Sequence, residues 1–173
     1  MKNTALNSAP KYFHTYINLV ADVPLMEVLP SGGISLYLNE VKKLTDLGLK
    51  VYASGKWTVN EMVQHLIDTE RIFVSRALRF VREDKTDLPG YDHTNYVSSS
   101  RANEQSLADL MEEYEAVRRS TLLFFRSLNE EELLRTGKVN GKEISVLAVG
   151  YILVGHPTHH FNVLMERYFE CNF

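Results

Sequence analysis

The sequence predicts an all-α protein: a four-helix bundle with a short extra helical segment at the N-terminus and a small β-hairpin before the last helix. Two observations predict this class. Four long stretches carry apolar residues at helical spacing. The chain has 173 residues, 45% of them hydrophobic, which suffices for one core but not for two domains. We therefore assign residues 1–173 to a single domain, and leave open whether the helices are joined by antiparallel or crossover connections.

The first part of the chain carries the weaker helical signals. Residues 12–21 form the extra N-terminal segment, which stops before Pro24. Residues 34–47 have apolar side chains at every third or fourth position, which predicts one helix. Gly48 follows directly and can end that helix.

The next helix has a well-defined start. Thr58 and Glu61 form a T-x-x-E capping box, and Trp57 and Met62 stand where a hydrophobic staple would pack. The apolar pattern continues from there, so we expect this second bundle helix to run to about Arg82.

Residues 84–103 predict a long loop, because they combine a Pro-Gly pair, several Asp and Asn residues and three consecutive serines. Long loops are often functional, and we expect residues 86–101 to form the wall or lid of a substrate pocket. The candidate residues of this wall or lid are Tyr91, Asp92, His93, Asn95 and Tyr96. The alternative is an ordinary capped surface loop.

Two more helices complete the predicted bundle. The third begins near Ser106 and carries an apolar stripe as far as Leu128. An Asn-Gly pair at 140–141, between two short extended runs, predicts the hairpin. Ser145 then caps the last helix, which we expect to reach about Phe169.

Three of the six histidines are candidate ligands of one divalent metal ion. His156 and His160 are spaced i,i+4, which places them on one face of the last helix. His65 falls at the edge of the apolar side of the second helix, so it should face a groove between helices. The alternative, more common for each residue taken alone, is a hydrogen-bonded histidine without a metal.

Glu70 lies near the middle of the apolar stripe of the second helix, where a free carboxylate is costly. It either orients a ligand histidine from outside the metal shell or forms a salt bridge with an arginine such as Arg76 or Arg118. We favour the salt bridge.

Composition and missing motifs exclude several functions. A net charge of −3 argues against a nucleic-acid-binding protein, and no apolar stretch is long enough to span a membrane. The single cysteine, Cys171, and the absence of a secretory signal indicate a cytoplasmic protein. The sequence also lacks the zincin motif, paired di-iron motifs, a phosphate loop and a nucleophile elbow. What remains is mononuclear chemistry built on imidazole.

Four segments together resemble the DinB-like superfamily and, within it, the YfiT-like proteins, which are described as metal-dependent hydrolases. The segments are GKWTVNEMVQHLIDTERIF, LPGYDHTNYV, EYEAVRRSTLLFFRSL and GHPTHHFNVLMERY. The resemblance extends from about Tyr12 to Tyr168.

The resemblance implies a four-helix bundle in which His65, His156 and His160 bind nickel or zinc. It implies that His159 is the family's common extra histidine and not a ligand. It also implies a small-molecule substrate and a homodimer. Pro157 departs from the family pattern, so the last helix either kinks before it or restarts there; we expect the site to be retained.

Three functions stay open. The site is that of a hydrolase, or of an S-transferase that activates a low-molecular-weight thiol, or of a stress-related protein that binds metal without catalysis. Three imidazoles leave a coordination position open, which favours an enzyme.

Overall fold

The computed structural model describes residues 1–169. Helices dominate it, which confirms the predicted fold class. Their bounds are α1 (Lys2–Asn7), α2 (His14–Asn18), α3 (Leu25–Val28), α4 (Ile34–Asn39), α5 (Val41–Leu47), α6 (Val59–Val81), α7 (His93–Ser99), α8 (Leu107–Arg126), α9 (Glu130–Leu134) and α10 (Val146–Leu164). Short 3-10 turns cover Lys11–Phe13 and Ala102–Glu104, and a π-helical turn covers Met165–Phe169.

The bundle consists of α6, α8 and α10 together with the broken helix formed by α4 and α5. Helix α6 packs against both α8 and α10, while α4 contacts α8 and α10. The N-terminal helices α1, α2 and α3 cover another side of α10. No helix within residues 1–169 is both long enough and apolar enough to cross a bilayer.

Several helix ends lie where capping residues in the sequence predicted them. Thr58 and Glu61 form both halves of the capping box at the start of α6, and Ser145 accepts a hydrogen bond from the Ala148 amide at the start of α10. Gly48 takes a positive φ of 55° directly after α5. These ends depend on contacts within one helical turn, which can be predicted from neighbouring residues in the sequence.

The predicted hairpin is present, but it belongs to a larger sheet. Strands β2 (Thr136–Val139) and β3 (Lys142–Ser145) pair antiparallel, and β1 (Asp87–Leu88) adds to β2 in parallel. The two residues of the turn, Asn140 and Gly141, both have positive φ, as a type I′ turn requires.

Three expectations about segments were wrong. Residues 84–103 are not a continuous loop, because they contain β1, α7 and a 3-10 turn. The helix predicted over residues 34–47 is broken at Glu40, directly after Asn39, a weak helix former. In the predicted segment 12–21, only His14–Asn18 is α-helical.

Buried apolar residues form two clusters, one at each end of the bundle. On α6 the change from one cluster to the other falls at Thr69 and Glu70; on α8 it falls at Arg118 and Thr121. On α10 it falls at the turn that begins with His156. A layer of buried polar side chains therefore crosses the middle of the bundle, and the candidate site lies in it.

Candidate metal centre

The imidazole rings of His65, His156 and His160 converge in the polar layer. Nε2 of His156 lies 3.2 Å from Nε2 of His65 and 3.0 Å from Nε2 of His160. One ring nitrogen from each residue can be chosen so that all three lie within 4.8 Å of one another. The first two side chains are buried and the third is partly buried. The structure thus brings together residues 91 positions apart in the chain.

Helix α10 passes through Pro157 without a break, although proline has no N–H to donate to the Leu153 carbonyl. Nη2 of Arg118 donates to that carbonyl at 2.9 Å instead. The Tyr37 hydroxyl donates to the Pro157 carbonyl at 3.1 Å. Because the orphaned acceptor has a partner, α10 keeps its register, and His156 and His160 stay on one face.

Glu70 bonds to Arg118 rather than to a ligand histidine. Its carboxylate accepts hydrogen bonds from Nε and Nη2 of Arg118 at 2.8 to 3.2 Å, and both side chains are at most 3% exposed. The same guanidinium also donates to the carbonyls of Leu29 and Gly32. Glu70 therefore holds the arginine that ties α8 to α10 beside the site.

Two of the three separations between the ligand nitrogens fit one metal ion. At metal–nitrogen distances of about 2.0–2.1 Å, ligand nitrogens lie roughly 2.8 to 3.4 Å apart for right-angled to tetrahedral geometry. The two shorter separations here are 3.0 and 3.2 Å. A ring nitrogen offers either one N–H or one lone pair, so Nε2 of His156 cannot form a good hydrogen bond to both neighbours. A cation would be bound by three lone pairs at once.

Burial keeps these rings in the neutral form that binds metal. Desolvation, followed by repulsion from neighbouring histidines, lowers the pKa of His65 to about 4 and that of His160 to about 3. The same causes, with burial again the largest, lower the pKa of His156 well below its ordinary value. At neutral pH all three lone pairs are available to a metal.

Aromatic side chains surround the three imidazoles. The Trp57 ring centroid lies 4.9 Å from that of His65 and 6.2 Å from that of His160. The Tyr16 ring, on α2, meets His156 edge to face at 5.1 Å. Gly155 allows this approach, since a Cβ there would lie 2.0 Å from the Tyr16 carbonyl oxygen. These rings limit the rotamers of the histidines and shield them from water.

A cavity of about 460 Å³ adjoins the three histidines. Its wall comes from the N-terminal segment, from α6, from α10, from the residues around α7 and from the sheet. The lining residues include Tyr12, Phe13, Phe73, Arg76, Tyr91, His93 and Lys142. A volume of this size suits a small-molecule ligand.

The sequence-family model of the DinB superfamily matches residues 34–164, which is well over half of the chain. The chain belongs to the DinB superfamily. The solved structure of YfiT from Bacillus subtilis is similar to this DinB-superfamily protein, with a TM-score of 0.70 at 19% sequence identity. The match covers 83% of this chain and 85% of YfiT, which is described as a probable metal-dependent hydrolase with an unusual four-helix bundle topology. No curated protein gives a sequence match.

The other residues predicted for the site of this DinB-superfamily protein are Tyr91, Asp92, Asn95 and His159, and only Tyr91 lines the cavity. Tyr91 lines the cavity, and its hydroxyl lies 2.7 Å from Oγ1 of Thr69. Asp92 accepts hydrogen bonds from two amides and caps α7, and Asn95 is exposed on that helix. His159 packs against Tyr16 and lies outside the group of three.

Sequence reasoning missed two residues of the site. Trp57 was expected only as a staple, yet its ring lies against His65. His93 was expected in the wall or lid of the pocket but not beside a ligand histidine; its ring centroid lies 5.8 Å from that of His65 and 6.0 Å from that of Trp57. The sequence signal that could have indicated His93 is Asp92, which caps the start of α7 and so sets the direction of the His93 side chain.

Proposed function

We propose that His65, His156 and His160 bind one divalent metal ion, zinc or nickel, and that the protein is a metal-dependent hydrolase of a small molecule. The observation that carries the proposal is the convergence of three buried, neutral imidazoles beside a cavity. The description of YfiT as a probable metal-dependent hydrolase supports the reaction class.

A divalent ion bound by three imidazoles supplies Lewis-acid chemistry, which lowers the pKa of a coordinated water or thiol and polarises a substrate carbonyl. His65, from α6, and His156 and His160, from α10, would hold the ion, and the cavity beside them would give a substrate access to it. Trp57 and Tyr16 pack against the rings and limit the access of bulk water.

Hydrolysis also needs a group that accepts a proton. Within residues 1–169 no aspartate or glutamate lines the cavity. His93 lines the cavity and is exposed, and its ring centroid lies 5.8 Å from that of His65. Histidine is the side chain that most often acts as a general acid or base, so His93 is our candidate for moving the proton.

An S-transferase that uses a low-molecular-weight thiol is the second candidate. The lack of a carboxylate base in the cavity wall of the described residues favours it. A thiol that loses its proton on binding metal attacks an electrophile without a separate base.

Metal analysis of variants tests the site. We expect wild-type protein, dialysed after loading with zinc or nickel, to retain about one ion per chain. His65→Ala and His160→Ala should retain little, because two imidazoles bind far more weakly than three. His159→Ala is the matched control, since it removes a neighbouring histidine on the same helix, and should retain the ion. Circular dichroism checks that each variant is folded. Equal retention by His65→Ala and His159→Ala would contradict the proposed site.

Turnover assays then separate the two reactions. The metal-loaded protein is tested with 4-nitrophenyl acetate alone, and with monobromobimane plus cysteine. A hydrolase releases nitrophenol without thiol and loses this activity in His65→Ala. A transferase consumes the bimane only when thiol is present. Activity that His65→Ala fully retains would exclude both.

A further inference from the structure

The side chain of Arg76 lies buried in the cavity wall, and no carboxylate among residues 1–169 forms an ion pair with it. Arg76 is 9% exposed, and its Cζ lies 5.2 Å from the Phe73 ring centroid and 5.7 Å from the Tyr91 ring centroid. The other two arginines inside α6, Arg71 and Arg79, pair with carboxylates. None of the ion pairs formed within residues 1–169 includes Arg76. A buried cation normally has a partner, because desolvating an unpaired charge is costly.

Most of the hydrogen-bonding capacity of Arg76 is unused. Its single hydrogen bond to the described chain runs from Nη2 to the Pro89 carbonyl at 2.9 Å. Every fully buried side-chain nitrogen or oxygen in that part of the chain has a partner. Nε and Nη1 of Arg76 therefore face open space. That space is either the main cavity or a shallower outer groove, which Arg76 borders together with Arg71 and Arg79.

The main cavity is free of acidic residues, although the chain is acidic. Aspartate and glutamate number 22 against 19 lysines and arginines, yet none of the 20 described residues that line the cavity is acidic. Its two permanent cations are Arg76 and Lys142, the latter exposed, with Nζ 5.0 Å from the Tyr12 ring centroid. Such a wall attracts anions and repels cations.

Helix geometry places Arg76 where one ligand can reach both it and the histidines. Arg76 follows His65 by eleven residues on α6, about three turns, so both point the same way and their Cα atoms lie about 16 Å apart. Side chains on a helix lean towards its N-terminus, which brings the guanidinium closer to the imidazoles than its Cα is. Thr69 and Phe73, between them on α6, line the same cavity.

We propose that the substrate carries an oxyanion, a carboxylate or a phosphate, which Arg76 binds through the Nη2 hydrogen that Pro89 leaves free and the neighbouring N–H of the same fork, while the reacting group lies at the three imidazoles. The fork of the guanidinium matches two oxygens of either anion. Lys142 at the rim adds a second positive charge. The position of the reacting group rests on the proposed function; anion binding by Arg76 does not.

Calorimetric titration with matched probes tests the anion site. The probes are 3-phenylpropionate, 2-phenylethyl phosphate and the neutral 3-phenylpropanamide. Each is titrated into zinc-loaded protein and into protein stripped with a chelator. At least one anion should bind about tenfold more tightly than the amide, as charge-assisted hydrogen bonds predict, and should do so in both forms. Which anion binds more tightly distinguishes a carboxylate substrate from a phosphate.

Variants locate the anion. Arg76→Gln should lose the preference for an anion over the neutral amide. Arg76→Lys should keep part of that preference, because lysine retains the positive charge but not the two parallel N–H groups of the guanidinium. Arg79→Gln is the matched control, because Arg79 borders only the outer groove, and it should keep the full preference. Thermal unfolding confirms that the variants are folded.

Three results would overturn the proposal: equal binding of anions and amide by wild-type protein, retention of the preference in Arg76→Gln, or its loss in Arg79→Gln. Loss of the preference only when zinc is removed would also overturn it, because the anion would then bind the ion. That last result leaves the proposed metal site intact.

Discussion

Replacing Glu70 by glutamine should destabilise the protein strongly, although the substitution changes only one atom. Glu70 and Arg118 are at most 3% exposed and share three hydrogen bonds. Glu70→Gln leaves the guanidinium charge buried without its counter-ion. Breaking a buried pair from one side costs about 3–5 kcal/mol. We expect about 3 kcal/mol, because the remaining amide oxygen still accepts one hydrogen bond.

The matched control is Arg71→Gln on the same helix. Arg71 pairs with Glu113, but their side chains are 51% and 30% exposed, so its loss should cost about 1 kcal/mol or less. Urea unfolding followed by circular dichroism gives both free energies of unfolding, and the slope with urea should not change. If Glu70→Gln costs no more than Arg71→Gln, the pair does not stabilise the bundle and our account of the polar layer is wrong.

Three further outcomes follow from the same region. Pro157→Ala should recover about 1 kcal/mol of unfolding free energy in an Arg118→Met background, because the new N–H can reach the orphaned Leu153 carbonyl; in the wild-type background urea unfolding should show a smaller change. Acid should destabilise the metal-free protein: the unfolded histidines take up protons below about pH 6.5 while the folded rings, with pKa values of about 4 and 3, do not. The melting temperature should therefore fall as the pH is lowered from 7 to 4, and His65→Ala should show a smaller fall. Gly155→Ala should cost about 1–3 kcal/mol and lower metal retention, because its Cβ would meet the Tyr16 backbone at 2.0 Å; an unchanged melting temperature would contradict the close approach.

The features that could be predicted from sequence are local ones. The capping box of Thr58 and Glu61 and the Asn140-Gly141 turn each lie within a few residues, and the i,i+4 spacing of His156 and His160 needs only a regular helix. The residue pattern placed His65 on a groove and made it the candidate for the third ligand, and the family resemblance implied the same three histidines. The spacing of residues along the chain does not predict which helices pack against each other.

The missed features depend on contacts between distant segments. Helices α1, α3 and α9 have four to six residues each, too few to form alone, and are stabilised by packing on α10. The cavity wall joins the N-terminal segment, α6 and the sheet, which no local pattern could bring together. Whether α10 continues through Pro157 could not be predicted from sequence, because it depends on a hydrogen bond to the Leu153 carbonyl from Arg118, which lies 35 residues before Leu153 in the chain.

Trp57 gives the protein an intrinsic optical reporter. It is the only tryptophan in the chain, and its indole lies against His65 and His160. Emission excited selectively from indole therefore comes from a single place in the molecule. A paramagnetic ion such as nickel, if bound by those histidines, should quench the emission, whereas diamagnetic zinc should not. Loading, exchange and release of the ion can thus be followed in real time without a dye, a label or an assumed substrate.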